Sequence, residues 1–262
     1  VLVIGRLLES RRAKKVVRRA ADWVDLQFWT LIESLREVAP LASGTMLDVG
    51  CGDKPYEQFF TPYVSKYIGV EHVTTYANTN AGTRGRADVL YEGDRLPFDD
   101  ASIDTVLCAQ VLEHTPEPQK LLTEIARTMR PGAVAILSAP FSFRLHEEPH
   151  DYFRFSPHAW KTMCDAAGLE IERLIPHGGF WTLMAHKMNS FLALRVVGIE
   201  GFAQSLGKHG HEASAERRGI PWGFLFAAPV MVALSGAARV GDSVLDDPTD
   251  TLGFTVVARR RG

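Results

Sequence analysis

The sequence predicts an α/β fold: a mostly parallel sheet whose last strand runs antiparallel, with helices ahead of it and a helical insertion before that last strand. Three observations carry this expectation. From Thr45 onward, short β-branched runs alternate with stretches of helical period, the order that places helices on both faces of a parallel sheet. The first run stops abruptly at Gly50 and Gly52. Of the 262 residues 46% are apolar and 23% charged, which supplies a full core within the size range of one elaborated domain.

Taken in order, Ala20 to Val38 reads as a helix with Trp23, Leu26, Leu31 and Leu35 available for packing, and residues 1–42 as N-terminal helices that cap a ligand. Met46–Val49 is the first strand, Lys66–Val70 the second, and Ile103–Ala109 a later one, with a shorter segment near Ala87–Leu90. A helix from about Glu117 to Met129 carries Leu121, Leu122, Ile125 and Met129 on one face. It ends at the break Pro131-Gly132, before the strand Ala133–Ser138. Ser156-Pro157 supplies an N-cap and a first-turn proline for a helix running to Gly168. Leu169–Ile175 is then a strand, with Gly253–Ala258 as its antiparallel partner. The single domain 1–262 thus has its core at 43–179 and 250–260. The insertion 180–249 holds an apolar helix from about Phe180 to Val197, a Gly/His-rich loop from Gly207 to Gly219, and the Pro-broken apolar stretch Ile220–Leu234. Its apolar pieces must bury against something: a lid, a homodimer interface or a membrane-facing patch, in that order of preference.

Composition narrows the function. A net charge of −2 gives no bulk attraction to nucleic acid, and no such partner is expected. The first twenty residues do concentrate Arg6, Arg11, Arg12, Lys14, Lys15, Arg18 and Arg19 among Leu and Val. That pattern suits either a solvated outer helix or peripheral contact with an anionic membrane. Cys51, Cys108 and Cys164 are far apart and in no CxxC pair, so neither a disulfide framework nor a zinc site is expected, and a reducing cytoplasm fits. The N-terminus lacks a clean apolar h-region, and Ile220–Leu234 is short and interrupted by prolines. Neither a signal peptide nor a transmembrane span is expected.

The stretch Leu47-Asp48-Val49-Gly50-Cys51-Gly52 puts two glycines where a buried strand turns, as a ligand approaching the backbone or a positive φ would require. Such a turn alone also occurs in NAD, FAD and purely structural settings. Pro55 stands where a third glycine would favour a pyrophosphate. Glu71, at the end of the next strand, is placed to accept from both hydroxyls of a ribose. Asp88 beside Val89 suits an adenine amine and its ring.

These motifs, continued through ADVLYEGDRLPFDDASIDTVLCAQVLEH and LLTEIARTMRPGAVAILSAP, resemble the class I S-adenosylmethionine-dependent methyltransferases with a Methyltransf_11-type core. The resemblance covers Met46 to Ala139. It implies a Rossmann-like sheet and S-adenosylmethionine as cofactor. It implies that Asp48, Gly50 and Gly52 hold the methionine end, Glu71 the ribose, and Asp88 with Val89 the adenine, with Ala109-Gln110 lining the methionine side. Glu113 and His114 would organise the pocket floor.

The loop Pro140 to Arg154 packs histidines, acids and arginines around aromatics at a strand's carboxyl edge. From His146 to Arg154 it is similar to an H-x-x-P-x-D-Y-x-R stretch of bacterial polysaccharide and glycolipid methyltransferases, with His150 in the variable slot. A hydroxyl acceptor needs activation. The expectation is that His146 or His150 takes its proton, with Asp151 orienting the imidazole. The alternative is that His146, His150 and an acid bind a divalent metal such as Mg²⁺. The leading function is O-methylation of a sugar or glycan precursor. The rivals are a methyltransferase of lipids or quinones at the membrane surface, a catalytically silent cofactor-binding scaffold, and an NAD-linked oxidoreductase.

Overall fold

The computed structural model describes residues 23–74, 86–196, 222–245 and 247–262. The expected basic helix of 1–19 and the loop 207–219 lie outside the described residues. The chain divides into two compact units, Val1–Leu31 with Gly178–Thr251, and Ile32–His177 with Leu252–Gly262.

The second unit contains the sheet. Its strands are β1 (Thr45–Val49), β2 (Lys66–His72), β3 (Val89–Tyr91), β4 (Ile103–Ala109), β5 (Met129–Pro140), β6 (Leu169–Pro176) and β7 (Gly253–Arg260), in the order β3-β2-β1-β4-β5-β7-β6. Strands β1 to β5 pair in parallel, while β7 runs antiparallel to both β5 and β6. This is the Rossmann-like sheet with a reversed last strand that the sequence predicts. The order reverses between β1 and β4, so the loops at their carboxyl ends part there and leave the crevice in which open sheets hold ligands.

The central strands read as near-continuous apolar runs because both faces are covered: Val106, Leu107, Cys108, Ala135, Ile136 and Leu137 are all buried. Helix α1 (Leu26–Val38) precedes the sheet, and the short α2 (Glu57–Phe60) follows β1. Helix α3 (Pro118–Thr128) buries Leu121, Leu122, Ile125 and Ala126 along one stripe. It stops at Thr128, and Met129 already begins β5. Pro131-Gly132 therefore lies inside the strand and does not precede it. The register explains this: Ile103 pairs with Met129 but Thr105 with Val134, so the extra residues bulge out where a proline is tolerated. Helix α4 (Pro157–Ala166) starts as expected. The Ser156 hydroxyl accepts from the Ala159 N–H at 3.2 Å, and Trp160 and Cys164 are buried in the core.

In the other unit, α5 (Phe180–Phe191) runs into a π-helical turn at Leu192–Val196, and α6 spans Trp222–Val244. The Asp242 carboxylate accepts from the N–H groups of Gly179 and Trp181 at 2.9 and 3.0 Å, capping α5 from α6. Arg239 lies over the rings of Trp23 and Trp29, 3.9 and 4.1 Å from their centroids. Helix α6 continues through Pro229, where a break is expected from sequence. One proline forfeits one backbone hydrogen bond, and the apolar turns on either side carry the helix past it. No helix among the described residues is long and apolar enough to cross a membrane.

Ser156→Ala should lower the unfolding free energy by about 1 kcal/mol through loss of the cap, and Trp160→Ala by about 3–5 kcal/mol through the cavity it leaves. Urea unfolding followed by circular dichroism measures both. A Ser156→Ala curve that overlays the wild type would remove the cap from the account.

Candidate functional site

Strand β1 ends at Val49 and the chain turns at once. Gly50 (φ 71°) and Gly52 (φ 49°) both adopt left-handed backbone, where an L side chain is strained. Their surroundings differ. A Cβ on Gly50 would strike the Val111 side chain, so that glycine admits the loop after β4 against the turn; a Cβ on Gly52 would meet no atom within 4 Å. Gly52 thus borders open space at the carboxyl edge of the sheet.

Two buried carboxylates flank it. Glu71 accepts the Gly52 N–H at one oxygen and the His72 N–H at the other, each at 3.1 Å. Burial raises its carboxyl above the ordinary value against the pull of those bonds. Asp48 accepts the Tyr67 hydroxyl at 2.6 Å, and burial lifts its carboxyl to about 7. S-adenosylmethionine is a cation bearing an ammonium, a sulfonium and a ribose diol. Two acidic acceptors beside a glycine that leaves its Cβ space free suit such a group.

Asp88 is engaged otherwise than its sequence position suggests. Its Oδ2 accepts from Lys54 Nζ at 2.5 Å and from the Gly69 N–H at 2.7 Å. Burial works against the charged form, but the lysine and the N–H outweigh it and hold the carboxyl below the usual range. Val89 packs against the core. Lys54 escapes the sequence reading: its side chain is 5% exposed, and it crosses β2 where Gly69 has no Cβ to obstruct it. Sequence marks only its place two residues after Gly52; its meeting with Asp88 depends on how the intervening strands align. Ala109 closes β4, and Gln110 (φ 59°) bends the chain away while its N–H donates to the Ser138 carbonyl at 2.8 Å.

The loop after β4 forms a 3-10 turn at Leu112–His114. Glu113 is fully buried, neither of its carboxylate oxygens has a hydrogen-bond partner, and burial pushes its carboxyl up to about 8. Its carbonyl accepts the N–H groups of Tyr152 and Phe153, which fastens the loop after β5 to this turn. Within that loop, Arg154 grips both oxygens of Asp151 at 2.6 and 2.7 Å, and Asp151 Oδ2 accepts the His146 N–H at 3.0 Å. Burial alone would raise Asp151; the Arg154 fork and the His146 N–H prevail and hold it at about 2. His146 Nδ1 stands 3.2 Å from the same carboxylate, and the ring meets those of His114 and Phe143 edge-on. Burial, then the neighbouring His114, push the His146 imidazole below its ordinary value, so it is neutral at pH 7. The structure therefore brings His146 and Asp151 together and adds Arg154, Glu113 and His114. His150 is exposed, and its Nδ1 pairs with the Tyr152 hydroxyl at 3.0 Å.

A carboxyl held at about 2 in the folded chain and near ~3.9 when unfolded contributes roughly 2.6 kcal/mol at pH 7. That contribution is complete above the unfolded value and drains away as pH falls through the folded one, so roughly half remains at pH 3. Asp151→Asn should therefore destabilise strongly at pH 7 and about half as much at pH 3. Urea titrations at the two pH values read the difference, and an equal gap at both would dissolve the ion-pair account.

Comparison with known proteins gives a match over part of the chain. Residues 47–137 match the methyltransferase domain family Methyltransf_11. An uncharacterized methyltransferase of Mycobacterium sp. (strain KMS) is 41% identical over 96 residues, covering 36% of this chain and 38% of the relative. Another, from Mycolicibacterium paratuberculosis, is 40% identical over 101 residues, covering 37% and 39%. The chain therefore matches less than two fifths of the length of these curated relatives. Among solved structures, a SAM-dependent methyltransferase from Archaeoglobus fulgidus aligns with a TM-score of 0.49 at 13% identity, over 88% of this chain and 93% of that one. The match lies in 47–137, the stretch that carries Gly50, Gly52, Glu71, Asp88 and Gln110, and there the chain is similar to a methyltransferase domain.

Proposed function

We propose that this chain transfers a methyl group from S-adenosylmethionine to a hydroxyl of a polar acceptor: a sugar, an oligosaccharide or a glycan precursor. The observation that carries the cofactor half is Gly52, a left-handed residue with open space at its Cβ and its N–H held by the buried Glu71. When bound, S-adenosylmethionine supplies a methyl group already activated by the sulfonium, so the protein's work is alignment and exclusion of water. In this reading Asp48 and the Gly50–Gly52 turn hold the methionine end, with Ala109 and Gln110 beside it. Glu71 takes the ribose. Val89 packs on the adenine, and Asp88 reaches its amine with the oxygen that Lys54 and Gly69 leave.

The acceptor half rests on His146. A sugar hydroxyl is almost wholly protonated at neutral pH and needs help to attack. The His146 imidazole is neutral there, and its Nδ1 side is occupied by Asp151 and the Arg144 carbonyl, which leaves Nε2 as the working nitrogen. His150, exposed at the rim with Tyr152, is the second candidate. The surrounding arginine and acids favour a hydroxyl-rich acceptor over an apolar one.

A second reading is action on a lipid or quinone at a membrane surface. It is favoured by Met184, Met188 and Phe191 on α5 and by Phe226 and Val230 on α6, all exposed. A silent cofactor-binding scaffold is the remaining alternative.

Calorimetry with S-adenosylhomocysteine should show binding, weakened about 10- to 100-fold by Glu71→Ala. Radiolabelled methyl transfer over saccharides, lipids and quinones then finds the acceptor. On it, His146→Ala should cut turnover about 100-fold or more while leaving S-adenosylhomocysteine affinity nearly unchanged, and His150→Ala should cut it less. Failure of the wild type to bind S-adenosylhomocysteine sinks the cofactor half. Labelling of lipids alone sinks the saccharide half, and tight binding with no acceptor in the panel favours the scaffold.

A further inference from the structure

We infer that Glu113, His114 and His146 form a site for one divalent first-row transition-metal ion, with Glu147 within reach as a fourth ligand. Among the described residues these three side chains each offer a ligand atom within 4.8 Å of the others. Glu113 supplies the independent sign. It is fully buried, and both its oxygens lack a hydrogen-bond partner. A buried carboxyl group whose oxygens are unpaired is costly in either protonation state, and a cation that displaces its proton and binds it removes that cost.

The two imidazoles are already set for ligation. A carbonyl can only accept, so His114 Nδ1 donates to the His150 carbonyl at 2.6 Å and His146 Nδ1 to the Arg144 carbonyl at 3.2 Å. Both Nε2 lone pairs are thereby left free, the tautomer that second-shell partners impose on metal-bound histidines. His146 is further backed by the Asp151 carboxylate, itself clamped by Arg154. His114 Nε2 lies 3.8 Å from Glu113 Oε1 and 3.9 Å from Glu147 Oε2. Two metal–ligand bonds of about 2.1 Å span at most about 4.2 Å, so an ion can join His114 Nε2 to either carboxylate as they stand, while the set as a whole, spread within 4.8 Å, closes on it by a side-chain adjustment of about 0.6 Å. Two imidazoles and a carboxylate favour Zn²⁺, Mn²⁺ or Fe²⁺ over Mg²⁺ and Ca²⁺, which prefer shells of oxygen.

Three or four protein ligands leave an open position for an acceptor oxygen. The site rests on the hydroxyl-acceptor reading for its purpose and changes one role in it: with the ion bound, His146 Nε2 is a ligand and not the base, and a hydroxyl on the ion would be acidified directly and give its proton to solvent. Binding of the ion itself requires no methyl transfer.

Chelator-treated protein titrated with Zn²⁺, Mn²⁺ and Mg²⁺ in a calorimeter tests the site. One equivalent of Zn²⁺ per chain should bind far more tightly than Mg²⁺ and raise the melting temperature. Glu113→Gln, which keeps the volume, and His146→Asn should each weaken Zn²⁺ binding about 100-fold while still unfolding cooperatively. If either variant fails to fold, His114→Gln carries the same expectation. No stoichiometric Zn²⁺ binding by the wild type, or folded variants that bind it as the wild type does, overturns the site. S-adenosylhomocysteine binding by the wild type is read separately, so loss of the cofactor reading is told apart from loss of the metal.

Discussion

Strand β1 has β2 on one side and β4 on the other, and the chain must run outward in both directions from this pair. The loops that leave β1 and β4 are consequently driven apart at the carboxyl edge, and the groups of the candidate site come from those loops, from the ends of β1, β2 and β4, from the start of β3 and from the loop after β5. Close packing then fixes the details. The turn after β1 meets Val111 only because Gly50 has no side chain, and Lys54 passes over β2 only because Gly69 has none. Removing side chains at these points is what lets charged and polar groups converge in a small volume.

The acids gathered there fall into two kinds. Asp88 and Asp151 have cations built in beside them, Lys54 and Arg154, and are held below their ordinary range. Asp48, Glu71 and Glu113 have no such partner among their hydrogen bonds and are raised by burial. The first kind is internally neutralised and shapes the walls. The second kind is left without a built-in cation and keeps its affinity for positive charge.

Much of the sheet was legible in the sequence because fully covered parallel strands leave an apolar signature, and because Ser156-Pro157 and Gly50/Gly52 punctuate the chain by local geometry. Pro131-Gly132 misleads, since a bulge inside a strand and a break before one present the same two residues. Pro229 misleads in the opposite way, for a long apolar helix absorbs one missing donor. In the site, Glu71 could be located from strand-end position alone. Asp88 could be located too, but not its engagement with Lys54, which depends on strand register that no local pattern reports. The pairing of His146 with Asp151 follows from closeness in sequence. Its meeting with Glu113 and His114 does not, because two loops separated by a strand and a helix bring them together.

Strand β6 touches the sheet through β7 alone, and β7 enters only after the whole segment that follows β6. The outer edge of the sheet is therefore closed by a long-range loop, and α4 with β6 has no strand to dock on until that loop shuts. Because the entropy of closure grows only with the logarithm of loop length, doubling the intervening segment costs about 0.6 kcal/mol. The fold can thus accommodate large changes in the length of what lies between β6 and β7 at little cost in closure entropy.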